Sequence, residues 1–104
     1  MHVLVARPHF TRALDDDEAR RALMEAVPLY EQSGGFHSLY SVRVSDREVI
    51  NISFWESRED AERGFAAARP AMSAMLGPIM EGAPDRSSGE LTFAYGVGQG
   101  VVAD

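Results

Sequence analysis

The chain has 104 residues, 45% hydrophobic and 25% charged, which is the balance of a single globular domain. Acidic residues outnumber basic ones by 16 to 10, and the resulting net charge of −6 disfavours binding to nucleic acid. Cysteine and lysine are both absent, which excludes disulfides, thiolate chemistry and lysine Schiff bases. No apolar run is long enough to span a membrane, and residues 1–10 do not resemble a signal peptide, so we expect a cytoplasmic protein.

The first elements along the chain are a strand and a helix. Residues 2–9 are largely apolar up to Pro8 and predict a strand that ends there or lies at an edge. Residues 15–32 begin with four acidic residues and continue with an apolar stripe at helical spacing. This pattern predicts a helix, and Gly34 and Gly35 are expected to end it.

The middle of the chain predicts a β-hairpin. Residues 36–45 and 48–56 are rich in β-branched and aromatic residues, which are typical of strands. A polar segment, Ser45–Glu48, lies between them and suits a tight turn. The two segments are therefore expected to pair in antiparallel fashion.

The last third of the chain predicts a second helix and a final strand. Ser57–Asp60 resembles a capping box and opens a helix that Pro70 is expected to interrupt. Residues 83–90 are polar and predict a loop. Residues 91–97 alternate apolar and small residues and predict the last strand, followed by a loose tail over 98–104.

The order strand, helix, strand, strand, helix, strand is that of a ferredoxin-like α+β fold. This βαββαβ plan places both helices on one face of a four-stranded antiparallel sheet, in one domain over residues 1–104. The other sheet face would be too apolar to remain in water. We therefore expect a symmetric homodimer in which two sheets face each other.

A hairpin with Val44 opposite Val49 determines which side chains share a face of the sheet. The face under the helices would then carry a polar and aromatic set: Tyr40, Asn51, Ser53 and Trp55. The face at the dimer contact would carry a mostly aliphatic set: Leu39, Ser41, Ile50, Ile52 and Phe54. A one-residue bulge would exchange the two faces for part of a strand.

The most specific motif is the spacing N-x-x-x-W-E-S from Asn51 to Ser57, at the end of a strand and the start of a helix. Together with the Gly35-Phe36 pair that opens the preceding strand, it resembles the antibiotic biosynthesis monooxygenase family. Domains of that family are dimeric α+β barrels of about this size and element order. The asparagine four residues before the tryptophan is closer to cofactor-independent oxygenases that act on polycyclic aromatic polyketides.

The resemblance implies a small monooxygenase that oxidises an aromatic or quinol-like molecule with O₂ and needs no cofactor and no metal. It places Asn51 and Trp55 near the reacting oxygen of the substrate, and Tyr40 matches a family tyrosine on the preceding strand. Asn51 would donate to the developing oxyanion, Trp55 would wall a flat ring, and Tyr40 would relay a proton.

Two family positions differ in this chain. A tyrosine expected six residues after the tryptophan is Ala61, and an arginine expected farther along falls near Met75. Arg69 is a candidate replacement for that arginine. Phe65, Met72 and Met75 are candidates for an adaptable apolar lid over the substrate.

Two other functions remain open. A non-catalytic dimeric barrel that binds a small apolar ligand would account for the differing family positions, and Trp55 and the methionines would then be core residues. A haem-binding or haem-degrading member of the same superfamily would need a His and a Trp in the second helical region, but residues 64–75 contain neither. The three histidines are scattered and predict no metal site.

Overall fold

The computed structural model describes residues 1–96 and has the ferredoxin-like α+β fold that the sequence predicts. Its elements are β1 (His2–Arg7), α1 (Asp16–Ser33), β2 (Phe36–Ser45), β3 (Glu48–Trp55), α2 (Arg58–Leu76) and β4 (Asp85–Glu90). The strands pair in antiparallel fashion in the order β2-β3-β1-β4, and the two helices pack on one face of the sheet. Neither helix is long and apolar enough to cross a membrane. The tail expected over residues 98–104 lies outside the described residues.

Helix α1 follows the predicted pattern closely. Asp15 caps its start by accepting a hydrogen bond from the backbone N–H of Asp17, and the acidic first turn suits the positive end of the helix dipole. The helix ends at Ser33, and Gly34 then adopts a φ of +91°, which favours glycine. The buried face recurs every four residues: Ala22, Ala26 and Tyr30.

Helix α2 is longer than predicted. Ser57 caps it by accepting a hydrogen bond from the N–H of Asp60 at 3.1 Å, as the capping box indicates. The predicted interruption at Pro70 is wrong, because α2 continues to Leu76. Pro70 lies on the exposed side of the helix, whereas Ala68 and Leu76 stay buried, so packing of the inner face maintains the helix despite the missing N–H.

The last strand lies earlier in the chain than predicted, so its predicted position is wrong. The polar segment Asp85–Glu90 forms β4, and Leu91–Gly96 has no regular structure; Val97, the last residue of the predicted strand, lies outside the described residues. Strand β4 is an edge strand with exposed side chains, and a ladder from His2–Glu90 to Arg7–Asp85 joins its backbone to β1. Because β4 is held by backbone hydrogen bonds and has no alternating apolar side chains, its hydrophobic pattern does not predict a strand.

The predicted register of the hairpin is wrong by one residue in β2. Shifts near Val44 and His37 leave Tyr40 opposite Ile52 and Ser41 opposite Asn51. Next to the first shift, Arg43 donates to the carbonyl of Leu14 at 2.6 Å and forms an ion pair with Asp16, so this part of β2 is tied to the start of α1.

This shift exchanges the faces of several β2 residues. Leu39 and Ser41, expected at the dimer contact, lie under the helices, whereas Tyr40 lies on the outer face. Strand β3 keeps the predicted assignment: Asn51, Ser53 and Trp55 point toward the helices, and Ile50, Ile52 and Phe54 point away.

The space between sheet and helices holds two apolar clusters. The first surrounds Trp55 and includes Leu4, Ala26, Tyr30, Ala61 and Ala68. The second includes Phe10, Leu14, Ala22, Val49 and Leu76. Met72 packs against both clusters. The core is therefore divided rather than continuous, and the division leaves room for a cavity.

Candidate functional site

A cavity of about 530 Å³ lies between the inner face of the sheet and the two helices. This volume falls in the usual range for sites that bind small molecules. Several of the lining residues have small side chains; they include Ala6, Ala19, Ser41, Ser53 and Ala68. These side chains leave space between sheet and helices that larger ones would fill.

One row of directly paired residues crosses the sheet and forms part of the cavity floor. Ser41 pairs with Asn51, Asn51 with Ala6, and Ala6 with Arg86, so the row runs over all four strands. Directly paired residues point to the same side of a sheet, and all four residues line the cavity. The floor is thus polar at β2 and β3, has only a methyl group at β1, and is cationic at β4.

Asn51 presents an unsatisfied polar group to this cavity. Its Oδ1 is buried and has no hydrogen-bond partner among the described residues. A buried acceptor without a partner destabilises a fold by about 1–3 kcal/mol, so most buried polar groups are hydrogen-bonded. A bound molecule with an O–H or N–H group at this position would satisfy the acceptor. Asn51 therefore faces the cavity with an acceptor that the described residues leave unpaired.

Tyr30 lines the cavity from α1 and was not singled out by the sequence. Its ring packs against Phe36 and Trp55, with centroids 5.4 and 5.3 Å away. Burial raises the pKa of the Tyr30 phenol above its ordinary value of 10.0, so the group stays protonated at neutral pH. It can therefore donate a hydrogen bond. Its helical spacing from Ala22 and Ala26 predicted only burial, because the hollow beside it is a tertiary feature.

Trp55 lies beside the cavity rather than in its lining, which corrects the expectation that it walls a flat ring. The side chain is fully buried, and its Nε1–H donates to Oγ of Ser53 at 2.8 Å. The inner face of Gly64 is close against the indole and leaves no room for a side chain. The indole N–H therefore already donates a hydrogen bond within the protein. Of these two residues, Ser53 lines the cavity and Trp55 does not.

Two other candidate residues also lie elsewhere. Tyr40 is on the outer face of the sheet, where its ring meets that of Phe54 edge to face with centroids 6.1 Å apart. The proton relay expected of Tyr40 would need its side chain beside Asn51, whereas the register shift turns it to the opposite face of the sheet. Met75 is 39% exposed and does not line the cavity, so the lid expected of it is not formed.

The remaining three candidates come together on α2, above the floor. Phe65, Arg69 and Met72 all line the cavity, at helical spacing along one side of the helix. Sequence patterns missed Arg86, which joins them from β4 because that segment was predicted to be a loop. Arg69 and Arg86 are the only charged residues in the cavity lining that the structure describes.

Comparison with known proteins identifies the fold. No protein-family model and no curated protein sequence matches the chain. The solved structure of SnoaB, a cofactor-independent oxygenase from Streptomyces nogalater, matches with a TM-score of 0.66 and 18% identity, over 89% of this chain and 94% of SnoaB. The monooxygenase ActVA-Orf6 from Streptomyces coelicolor, solved with nanaomycin D, matches with a TM-score of 0.64 and 19% identity, over 93% and 92% of the two chains.

A third structure, from Bordetella bronchiseptica and provisionally named an antibiotic biosynthesis monooxygenase, matches with a TM-score of 0.68 and 14% identity. The match covers 88% of this chain and 97% of the Bordetella chain. The chain therefore has the fold of the antibiotic biosynthesis monooxygenases, as the resemblance around Asn51–Ser57 implied. At these identities the likeness establishes the fold, and the activity has to be argued from the cavity.

Proposed function

We propose that the protein is a cofactor-independent monooxygenase that oxidises an aromatic, phenolic or quinol-like small molecule with O₂. The observation that carries this proposal is the buried, unpartnered Oδ1 of Asn51 on the floor of a largely apolar cavity. SnoaB, which has the same fold, is a cofactor-independent oxygenase, and ActVA-Orf6 was solved with nanaomycin D. These neighbours support an oxygenase reaction on a small organic molecule in this chain.

The proposed chemistry starts at the substrate oxygen. An anthrone reacts through its enol, whose O–H can donate to Oδ1 of Asn51. The enol proton passes to solvent at the open rim of the cavity, and the carboxamide turns so that its N–H₂ group donates to the enolate oxygen. A proton taken up from solvent later completes the hydroperoxide. The electron-rich ring carbon then passes an electron to O₂, and the two radicals combine into a carbon-bound hydroperoxide. Loss of water converts the CH–OOH group into a ketone. One oxygen atom enters the product and the other leaves as water, so no external reductant is consumed.

The surroundings of Asn51 suit this sequence of steps. The cavity wall is mostly aliphatic and aromatic, which lowers the polarity around an enolate and strengthens each hydrogen bond to it. The protonated phenol of Tyr30 supplies a second donor in the same cavity. No Asp, Glu or His is among the described lining residues, so an enolate would meet no carboxylate there.

Oxygen uptake with an anthrone or a naphthol, in the presence of a chelator, tests the proposal. We expect substrate-dependent uptake that the chelator leaves unchanged. Asn51→Ala should lower the rate about 10²–10³-fold, the usual effect of removing one donor to an oxyanion. Gln32→Ala is the matched control, because it removes an exposed carboxamide from α1 and should keep the full rate. Equal rates in both variants would refute the role of Asn51.

A non-catalytic protein that binds a small apolar ligand is the second candidate. The observation in its favour is that Trp55, expected near the reacting oxygen, and Tyr40, expected to relay a proton, do not line the cavity. This alternative predicts that naphthols bind in the cavity but that no oxygen is consumed above the uncatalysed rate. Binding and oxygen uptake, measured on the same preparation, distinguish the two candidates.

We also propose that the functional form is a homodimer joined through the outer sheet face. That face carries Tyr40, Val42, Ile52 and Phe54, and the first two are 41% and 49% exposed in the single chain. Exposed apolar area of this extent on one face of a sheet is typical of an interface.

Sedimentation equilibrium tests the dimer. We expect the wild-type chain to have twice the mass of a single chain, and Val42→Lys to have the mass of one, because a charge opposite a second copy cannot be paired. Met24→Lys, at a 63% exposed position on the outer side of α1, should remain dimeric. A monomeric wild type, or a dimeric Val42→Lys variant, would contradict the proposal.

A further inference from the structure

Arg69 and Arg86 form a cationic rim at one end of the cavity, and the proposed function assigns them no role. We propose that Arg69 and Arg86 bind an anionic group of the ligand, so that the preferred substrate is an aromatic molecule that carries a carboxylate at the end opposite to its reacting oxygen. This inference rests on the proposed function for the identity of the reacting oxygen, and on the cavity alone for the anionic group.

The two guanidinium groups meet at one aromatic ring. The Cζ of Arg86 lies 4.4 Å from the centroid of Phe65, and the Cζ of Arg69 lies 5.7 Å from the same centroid. Stacking on the ring orients each guanidinium and leaves its edge N–H groups available. Both residues are exposed, which places the pair at the rim where the cavity opens to solvent. A carboxylate held there could accept hydrogen bonds from both.

The charge around the rim makes an anion the fitting partner. The chain has a net charge of −6, yet the charged residues in the described cavity lining are both arginines. Glu62 contacts Arg86 through a single pair of atoms, 3.4 Å apart, which leaves most of that guanidinium unused. Within residues 1–96, Arg69 forms no ion pair at all. An acidic ligand would therefore pair with guanidinium groups that the protein leaves largely without a carboxylate partner.

The spacing of the strands gives the distance between the backbone positions of Asn51 and Arg86. Arg86 and Asn51 both pair with Ala6, one from each side of β1, so they lie two strand spacings apart on the same floor. Neighbouring strands are about 4.8 Å apart, which separates the two backbones by about 10 Å. Between them the floor offers only the methyl group of Ala6. A fused aromatic ring system can span this interval, with its hydroxyl at Asn51 and its carboxylate at the arginines.

Equilibrium binding of a matched pair of ligands tests the inference without any oxidation. The probes are 6-hydroxy-2-naphthoate and its methyl ester, titrated under nitrogen into the wild-type protein at low and high salt. The acid should bind about tenfold tighter than the ester at low salt, as expected for charge-assisted hydrogen bonds. High salt should reduce this preference, because the arginines are exposed.

Variants then assign the preference to residues. Arg69→Gln and Arg86→Gln should each reduce it, and the double variant should abolish it while the ester affinity changes by less than about twofold. Arg58→Gln is the control, because this exposed arginine at the start of α2 does not line the cavity. Thermal unfolding of each variant checks that the fold is intact.

The outcomes separate this inference from the proposed function. If the wild type binds acid and ester equally, or binds neither, or if the double variant keeps the preference, the arginine site is refuted. If the acid preference is found but no oxygen is consumed, the anionic site stands and the monooxygenase proposal fails. If neutral anthrone is oxidised at the same rate by the wild type and the double variant and no acid preference exists, the monooxygenase proposal stands and the arginine site fails.

Discussion

Replacement of Asn51 by leucine should separate stability from activity. Leucine is close to asparagine in shape and keeps the position filled, but it removes the buried Oδ1 that has no hydrogen-bond partner. Relief of such a group is worth about 1–3 kcal/mol, which in a domain of this size raises the midpoint of thermal unfolding by about 4–8 °C per kcal/mol. Because Asn51 would be the principal contact to the substrate oxygen, oxygen uptake should at the same time fall about 10²–10³-fold.

The assay has two parts on one preparation. Thermal unfolding followed by circular dichroism gives the stability change, and oxygen uptake with anthrone gives the activity change. Ser41→Ala provides a comparison for stability in the same floor row, because it removes a polar group from the partner strand. It should change the unfolding midpoint by less than Asn51→Leu does.

A specific result would refute the reasoning about Asn51. If Asn51→Leu destabilises the protein by about 1 kcal/mol or more, the carboxamide makes a structural interaction and is not held unsatisfied for a ligand. If the variant is stabilised but oxidises anthrone at the wild-type rate, the cavity binds something else or catalysis lies elsewhere. Only a gain in stability together with a loss of activity supports the proposed role.

Three further predictions concern the packing that shapes the cavity. Gly64→Ala should destabilise the protein by about 1–3 kcal/mol, because the new methyl group would overlap the indole of Trp55; urea unfolding measures this. Ser57→Ala should lower stability by about 1 kcal/mol through loss of the cap on the N–H of Asp60, again by urea unfolding. Burial raises the pKa of Tyr30, so the unfolded chain ionises near pH 10 while the folded chain does so only at higher pH. Stability is therefore full below about pH 10 and lost as the pH rises further, and Tyr30→Phe should show less of this alkaline loss in urea midpoints between about pH 9 and pH 11.

Each of these has a comparison that could contradict it. Ala67→Gly, on the exposed side of α2, should cost only about 1 kcal/mol through helix propensity, so a larger effect there than at Gly64 would dispute the packing argument. A Ser57→Thr variant should retain the cap and the stability. Equal alkaline losses in the wild type and Tyr30→Phe would show that Tyr30 ionises freely in the folded state.

Much of the fold was determined by local patterns in the sequence. The acidic start and apolar stripe of α1, the cap at Ser57, and the β-branched segments of the hairpin each depend on neighbours within one or two turns or along one strand. For that reason the element order, and with it the ferredoxin-like fold, could be predicted before any coordinates were known. The inward direction of Asn51 also followed, because alternation along β3 is a local property.

Only the tertiary structure decided which residues surround the cavity. A one-residue shift near Val44 turns Tyr40 outward and Ser41 inward. The hydrophobic periodicity of β2 does not predict this shift, because Arg43 beside it contacts the start of α1, which is distant in the sequence. Arg86 entered the site because an exposed edge strand pairs through its backbone alone. Local sequence patterns reflect interactions within one helix or strand. The cavity depends instead on how separate elements pack and where they leave space between them.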